Sequence, residues 1–199
     1  KYLTDQDKCN SDFAGSDSND YLAAARKAGQ IVPSIIDMTT GSFTAKGQTQ
    51  TAYVISVSEC NASHADNFGT KRIAIFSGPQ LVADMDADFM GTIVRKTDLD
   101  GNGIDELLMV SNDIAQGTVT EMATLASFEN GRRHVMHDFG TVVLDSCESL
   151  APGSDSKAAV LYTGAFAPGL KPPLTQENYV ASCRNPRRWK FVSKGKMPE

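Results

Sequence analysis

The feature that most constrains this chain is the acidic, glycine-containing segment 98–107, Asp-Leu-Asp-Gly-Asn-Gly-Ile-Asp-Glu-Leu. Oxygen-bearing side chains fall at its positions 1, 3, 5 and 9, and a glycine falls at position 6. Ca²⁺ takes roughly six to eight oxygen ligands, and alternate residues of a tight loop can point several oxygens inward. The segment therefore predicts a calcium loop with the ligands Asp98, Asp100, Asn102, Ile104 through its backbone carbonyl, and Glu106.

The flanks of this loop indicate which kind of calcium site it is. An EF-hand places a bidentate Glu at position 12, between two helices, whereas position 12 here is Met109. The preceding segment 91–97 is rich in β-branched residues, and the segment 107–110 is a short apolar run. Both flanks are therefore predicted to be strands.

An acidic residue at position 9, followed by an apolar strand, resembles the calcium loop of FG-GAP repeats, which occur in integrin-type β-propellers and related secreted proteins. The resemblance is carried by Asp98, Asp100, Asn102, Gly103 and Glu106 and covers this loop alone. It implies a loop that joins two strands of a propeller blade, and a protein that recognises a protein or glycan partner.

Internal similarity indicates a repeated β architecture. Segment 41–54 aligns with the loop region at an offset of 56 residues, and 126–134 matches 181–189 at five of nine positions. We expect a mainly β fold in a single domain, with about three four-stranded antiparallel units at 38–92, 93–145 and 146–199. The first unit would carry the same loop without a metal. A propeller-like or incomplete propeller arrangement is favoured, and a β-sandwich or barrel is the alternative.

The N-terminal segment 1–37 is predicted to be a polar arm followed by one short helix. Ser18, Asn19 or Asp20 can cap this helix, and Gly29 suits its C-terminal end. A helix this short is marginal alone, so we expect it to lie against the β body.

The four cysteines lie far apart and form no Cys-x-x-Cys pair, which disfavours zinc and dithiol redox motifs. An even count with wide spacing favours two disulfides in an oxidising compartment, and four free thiols are the alternative. Among three possible connectivities we favour Cys147–Cys183 and Cys9–Cys60. The chain begins at Lys1 rather than Met, as a mature secreted form or a trimmed fragment would.

The net charge and the hydropathy of the chain limit the kinds of partner that the protein is expected to bind. The net charge of −5 argues against a nucleic-acid-binding protein, and no apolar run approaches the length of a membrane span. Two pairs of arginines, 132–133 and 187–188, follow predicted hairpin turns, and Lys190, Lys194 and Lys196 come close behind the second pair. We interpret these cations as solvated turns and an edge-strand guard against aggregation, with polyanion binding as the alternative. Trp189 is predicted to lie in the core.

These observations favour a secreted or periplasmic, non-enzymatic, calcium-binding β-repeat protein with a protein or glycan partner. One alternative is an extracytoplasmic hydrolase that uses the polar loop 60–68, which contains His64. Another is an inhibitor or structural partner that presents a disulfide-held loop. Unpaired sheet edges would also permit a homo-oligomer.

Overall fold

The computed structural model describes residues 33–57, 70–87, 90–149, 156–164 and 174–196. These residues form antiparallel β-structure, and their helical content is one 3₁₀ turn, Glu129–Gly131. The strands in chain order are β1 (Pro33–Gly41), β2 (Gln50–Val57), β3 (Thr70–Ser77), β4 (Gln80–Asp86), β5 (Thr92–Thr97), β6 (Glu106–Ala115), β7 (Thr118–Ser127), β8 (His134–Asp145), β9 (Ser156–Thr163), β10 (Thr175–Ser182) and β11 (Lys190–Lys196). The predicted mainly β fold is therefore confirmed, whereas the predicted helix near residues 18–29 lies outside the described residues.

The strands form two open sheets. One sheet has the order β1-β2-β3-β4, and the other has the order β11-β10-β9-β8-β7-β6-β5. The four-stranded sheet spans residues 33–86 and overlaps most of the first predicted unit, 38–92. The second and third units do not form separate sheets, because the end of β8 pairs with β9 at Val143–Ala159 and Asp145–Lys157. The expectation of three separate four-stranded blades is wrong on this point, and a closed propeller is not shown.

The two sheets share one hydrophobic core. Val54 and Ile73 contribute from the four-stranded sheet, and Leu107 and Met109 contribute from β6. Two phenylalanines complete this core, Phe43 from the loop after β1 and Phe128 from the turn after β7, and both are fully buried. Burial of one such side chain contributes about 1.5–3 kcal/mol, so these contacts hold the two sheets together.

The far end of the seven-stranded sheet is exposed. Every residue of β11 is exposed, and Phe191 and Val192 each keep 56% of their surface accessible. Trp189 is 41% exposed, so its predicted place in the core is wrong. The physical reason is that, within the seven-stranded sheet, the core cluster draws only on β5, β6 and β7, which leaves β11 without a covering layer among the described residues.

Candidate metal centre

The predicted calcium loop connects β5 to β6, as its flanks indicated. Thr97 pairs with Glu106 across the base of the loop. Gly101 and Gly103 have φ values of 75° and 87°, in the left-handed region that glycine adopts without strain. The chain therefore reverses direction within the loop and brings its two ends together.

Side chains at alternate positions hold the loop closed. Asp98 Oδ2 accepts a hydrogen bond from the Gly103 amide at 2.9 Å, and Asp100 Oδ1 accepts one from the Asn102 amide at 3.1 Å. The Ile104 amide donates to Asn102 Oδ1 at 2.7 Å. These local bonds turn the polar side chains toward the loop interior, which is why the alternating sequence pattern predicted the site.

Three carboxylates converge inside the loop. Asp98, Asp100 and Glu106 each offer an oxygen atom, and these oxygens lie within 4.8 Å of one another. Asp98 is exposed, Asp100 is half-buried and Glu106 is buried, so the group extends from solvent into the protein. Like charges this close repel one another, and a cation between them would remove that repulsion. The group therefore has the donor chemistry and spacing to hold a metal ion.

Glu106 is the decisive member of the group, because only 1% of its surface is exposed. Its Oε2 accepts a hydrogen bond from the Leu99 amide at 2.7 Å, but its Oε1 has no hydrogen-bond partner among the described residues. Burial, aided by the negative charges of Asp100 and Asp98, raises the pKa of Glu106 to about 7, although the Leu99 amide opposes this shift. An ionised Oε1 in this position is costly without a proton or a cation beside it.

The loop between β1 and β2 provides an internal comparison. At the offset of 56 residues, Gln50 occupies the position of Glu106, and it is also 1% exposed. Gln50 Oε1 accepts hydrogen bonds from the amides of Phe43 at 3.0 Å and Thr44 at 2.9 Å, much as Glu106 accepts one from Leu99. Gly47, which corresponds to Gly103, also has a positive φ of 72°. The two loops therefore share one backbone plan, as the sequence alignment predicted.

The two loops differ in what faces the buried side chain. Gln50 Nε2 donates hydrogen bonds to Thr44 Oγ1 at 2.6 Å and to Gln48 Oε1 at 3.2 Å, so the first loop is internally satisfied. Glu106 has no such donor group, because an ionised carboxylate only accepts hydrogen bonds. Among the described residues, the second loop thus has no hydrogen-bond donor for Glu106 Oε1, whereas the first loop has an amide NH₂ at the corresponding place. Sequence reasoning missed Gln50, although the same alignment places it opposite Glu106.

The two loops also contact each other. The Asp105 amide donates to the Ser42 carbonyl at 2.6 Å, and the Ser42 amide donates to Asp105 Oδ2 at 2.8 Å. Lys96 Nζ lies 3.8 Å from the same Asp105 oxygen. The Lys46 side chain packs on Gly103, where an added Cβ would lie 2.7 Å from its carbons. Asp105 therefore anchors the loop to the neighbouring loop and is not a member of the acidic group.

The two other predicted ligands, Asn102 and Ile104, are not carboxylates. Asn102 lies beside the acidic group, and its Nδ2 donates to Asp100 Oδ2 at 3.2 Å. The Ile104 side chain is buried, and a ligand role for its carbonyl stays a prediction. His64 and the 60–68 loop, on which the hydrolase alternative depends, lie outside the described residues.

The other sequence-based expectations have mixed outcomes. Cys147 and Cys183 form the predicted disulfide, with their Cα atoms 5.4 Å apart, whereas the predicted Cys9–Cys60 bond lies outside the described residues. The described ranges contain no helix long and apolar enough to cross a membrane. Comparisons with models of protein families, with curated proteins and with solved structures find no match. The FG-GAP resemblance therefore stays a prediction that rests on the loop itself.

Proposed function

We propose that this chain is a calcium-stabilised, non-enzymatic β protein of a secreted or periplasmic compartment. The observation that carries the proposal is the buried Oε1 of Glu106, which has no hydrogen-bond partner in the described part of the chain and belongs to the same acidic group as the carboxylates of Asp98 and Asp100. The first loop supports this reading, since Gln50 supplies an NH₂ group where the second loop has only acceptors.

Calcium suits this donor set better than other common metals. The candidate ligands are carboxylate, amide and carbonyl oxygens, without cysteine or histidine, which disfavours zinc and copper. Mg²⁺ demands near-ideal octahedral geometry and keeps several waters, whereas Ca²⁺ accepts the irregular geometry of a flexible oxygen-rich loop. Asp98, Asp100, Asn102 and Glu106 would bind through side chains, and Ile104 through its carbonyl.

The role of the ion would be structural. It would neutralise about three carboxylates, tie the start of the loop to the start of β6, and hold the Ser42–Asp105 contact between the two loops. Leu107 and Met109 follow directly and lie in the shared core. Calcium binding would therefore stabilise the junction of the two sheets as well as the hairpin.

The Cys147–Cys183 disulfide supports an oxidising compartment, because such bonds rarely persist in a reducing cytoplasm. Extracellular calcium concentrations would also suit a site of modest affinity. Within this proposal the protein acts by recognising a protein or glycan through its exposed surfaces, and its open sheet edges leave room for a homo-oligomer.

The testing experiment is thermal unfolding in excess calcium and again with a chelator, under non-reducing conditions. We expect a higher midpoint with calcium, and we expect Asp98→Ala and Asp100→Ala each to remove most of that difference. The control is Asp113→Ala, because Asp113 lies on β6 outside the acidic group. Calorimetric titration of calcium then measures binding directly, and an unchanged midpoint together with no heat of binding would refute the proposal.

A further inference from the structure

The C-terminal hairpin carries a dense group of cations in an otherwise acidic chain. The stretch 178–196 contains no acidic residue, and its basic residues make up about a third of the 19 in the protein, whose net charge is −5. All of these basic residues are exposed: Arg184, Arg187, Arg188, Lys190, Lys194 and Lys196. We call this set the basic strip.

The basic strip is almost uncompensated. Lys194 forms an ion pair with Glu177 at 2.7 Å, and the described part of the chain contains no other ion pair that involves the strip. Five positive charges therefore face solvent without an acidic neighbour in contact among the residues that the structure describes. Such a local field attracts anions even when the net charge of the whole protein is negative.

An edge-strand guard explains only part of this arrangement. Lysines on β11 do protect the open edge of the sheet from pairing with another chain. Arg184, Arg187 and Arg188, however, lie in the turn between β10 and β11, where they guard no strand. Exposed Trp189 and Phe191 beside the lysines are also the opposite of what protection against aggregation requires.

The strip is extended and well anchored. Seven residues of β11 span roughly 20 Å, and the arginine turn lengthens this path. The turn is fixed by hydrogen bonds from the Asn185 amide to the Ser182 carbonyl at 2.9 Å and from the Arg188 amide to the Asn185 carbonyl at 3.0 Å. The disulfide at Cys183 holds the start of the turn. Cations spread along such a line suit a linear polyanion better than a single phosphate.

We propose that the basic strip binds a linear anionic polysaccharide that carries sulfate or carboxylate groups. Arginine forks match both groups in bidentate geometry, and the exposed ring of Trp189 offers a flat apolar surface against which a sugar ring can pack. The inference rests on the extracytoplasmic location and the glycan partner proposed above, where such polymers are the relevant polyanions. It does not depend on the calcium site.

The test is binding to immobilised heparin in about 150 mM NaCl with calcium in excess, followed by elution with increasing salt. We expect Arg187→Gln/Arg188→Gln to weaken binding about tenfold and to reduce the salt dependence by about two released ions. The matched control is Arg95→Gln/Arg132→Gln, which removes the same charge from exposed positions outside the strip and should elute like the unmodified protein. Trp189→Ala should weaken binding with little change in salt dependence.

Three outcomes would overturn the inference. They are failure of the unmodified protein to bind heparin, equal losses in the arginine variant and its control, and tighter binding of duplex DNA than of heparin in parallel assays. Uncharged dextran serves as the neutral polymer and should not bind. Because calcium dependence is measured separately by unfolding, failure of the metal proposal leaves this result interpretable, and the reverse also holds.

Discussion

Replacement of Glu106 by Gln gives the sharpest test of the metal centre, because Gln50 already occupies the corresponding position of the first loop with its hydrogen bonds satisfied. Glu106→Gln preserves the shape of the side chain and keeps an oxygen to accept from the Leu99 amide, as Gln50 Oε1 accepts from Phe43. It also supplies an NH₂ group that can donate to Asp100, as Gln50 Nε2 donates to Thr44.

Without calcium, this variant should be more stable than the unmodified protein. At about pH 8 most of the Glu106 carboxyl groups are ionised, since the pKa is about 7, and Oε1 then lies buried without a hydrogen-bond partner from any described residue. Removing that charge and adding a hydrogen-bond donor should raise the free energy of unfolding by about 1–3 kcal/mol.

With calcium, the order should reverse. The unmodified protein gains about 4.1 kcal/mol when calcium exceeds its dissociation constant about a thousandfold, which is more than the advantage of the variant in chelator. The variant lacks the buried carboxylate that closes the coordination shell, so it should gain little. The predicted signature is therefore a variant that is more stable than the unmodified protein in chelator and less stable in calcium.

The assay is urea unfolding of both proteins at about pH 8, in excess calcium and in chelator. Glu129→Gln is the control, because Glu129 is an exposed acid on the 3₁₀ turn and its replacement should leave both free energies within about 0.5 kcal/mol. If Glu106→Gln lowers stability equally in both conditions, Glu106 acts only as a hydrogen-bond acceptor and the calcium argument fails.

Three further predictions concern the pH dependence of stability, the buried Gln50 of the first loop and the Cys147–Cys183 disulfide. The raised pKa of Glu106 means that the folded state holds the proton of this carboxyl group more tightly than the unfolded state does. In chelator, the free energy of unfolding should therefore be greatest below about pH 4.5 and should fall by about 3 kcal/mol as the pH rises through about 7. Urea unfolding measures this profile, and Glu106→Gln should flatten it. Gln50→Glu should cost about 2–4 kcal/mol at neutral pH in either calcium or chelator, as measured by urea unfolding. The reason is that it buries a charge beside Thr44 in a loop that lacks the further carboxylates with which the second loop would bind a cation. Cys147→Ser/Cys183→Ser should lower the free energy of unfolding by about 2–4 kcal/mol, and an unchanged urea midpoint would contradict a stabilising role for this bond.

Local patterns in the sequence were sufficient to predict the loop and its flanking strands. The alternating oxygens and Gly103 act through bonds between near neighbours, such as Asp98 to Gly103, so their consequence is visible without the rest of the fold. The period of the flanks likewise specified strands, because Leu107 and Met109 must share one face of β6.

Only the tertiary structure decided how the site is completed. Glu106 is 1% exposed, and beside it the Ser42–Asp105 contact joins residues 63 positions apart in the chain. The pairing of β8 with β9 and the exposure of Trp189 were likewise decided by contacts, or their absence among the described residues, between distant parts of the chain. Burial depends on distant neighbours, and for that reason the sequence identified the acidic residues but not the oxygen that lacks a partner.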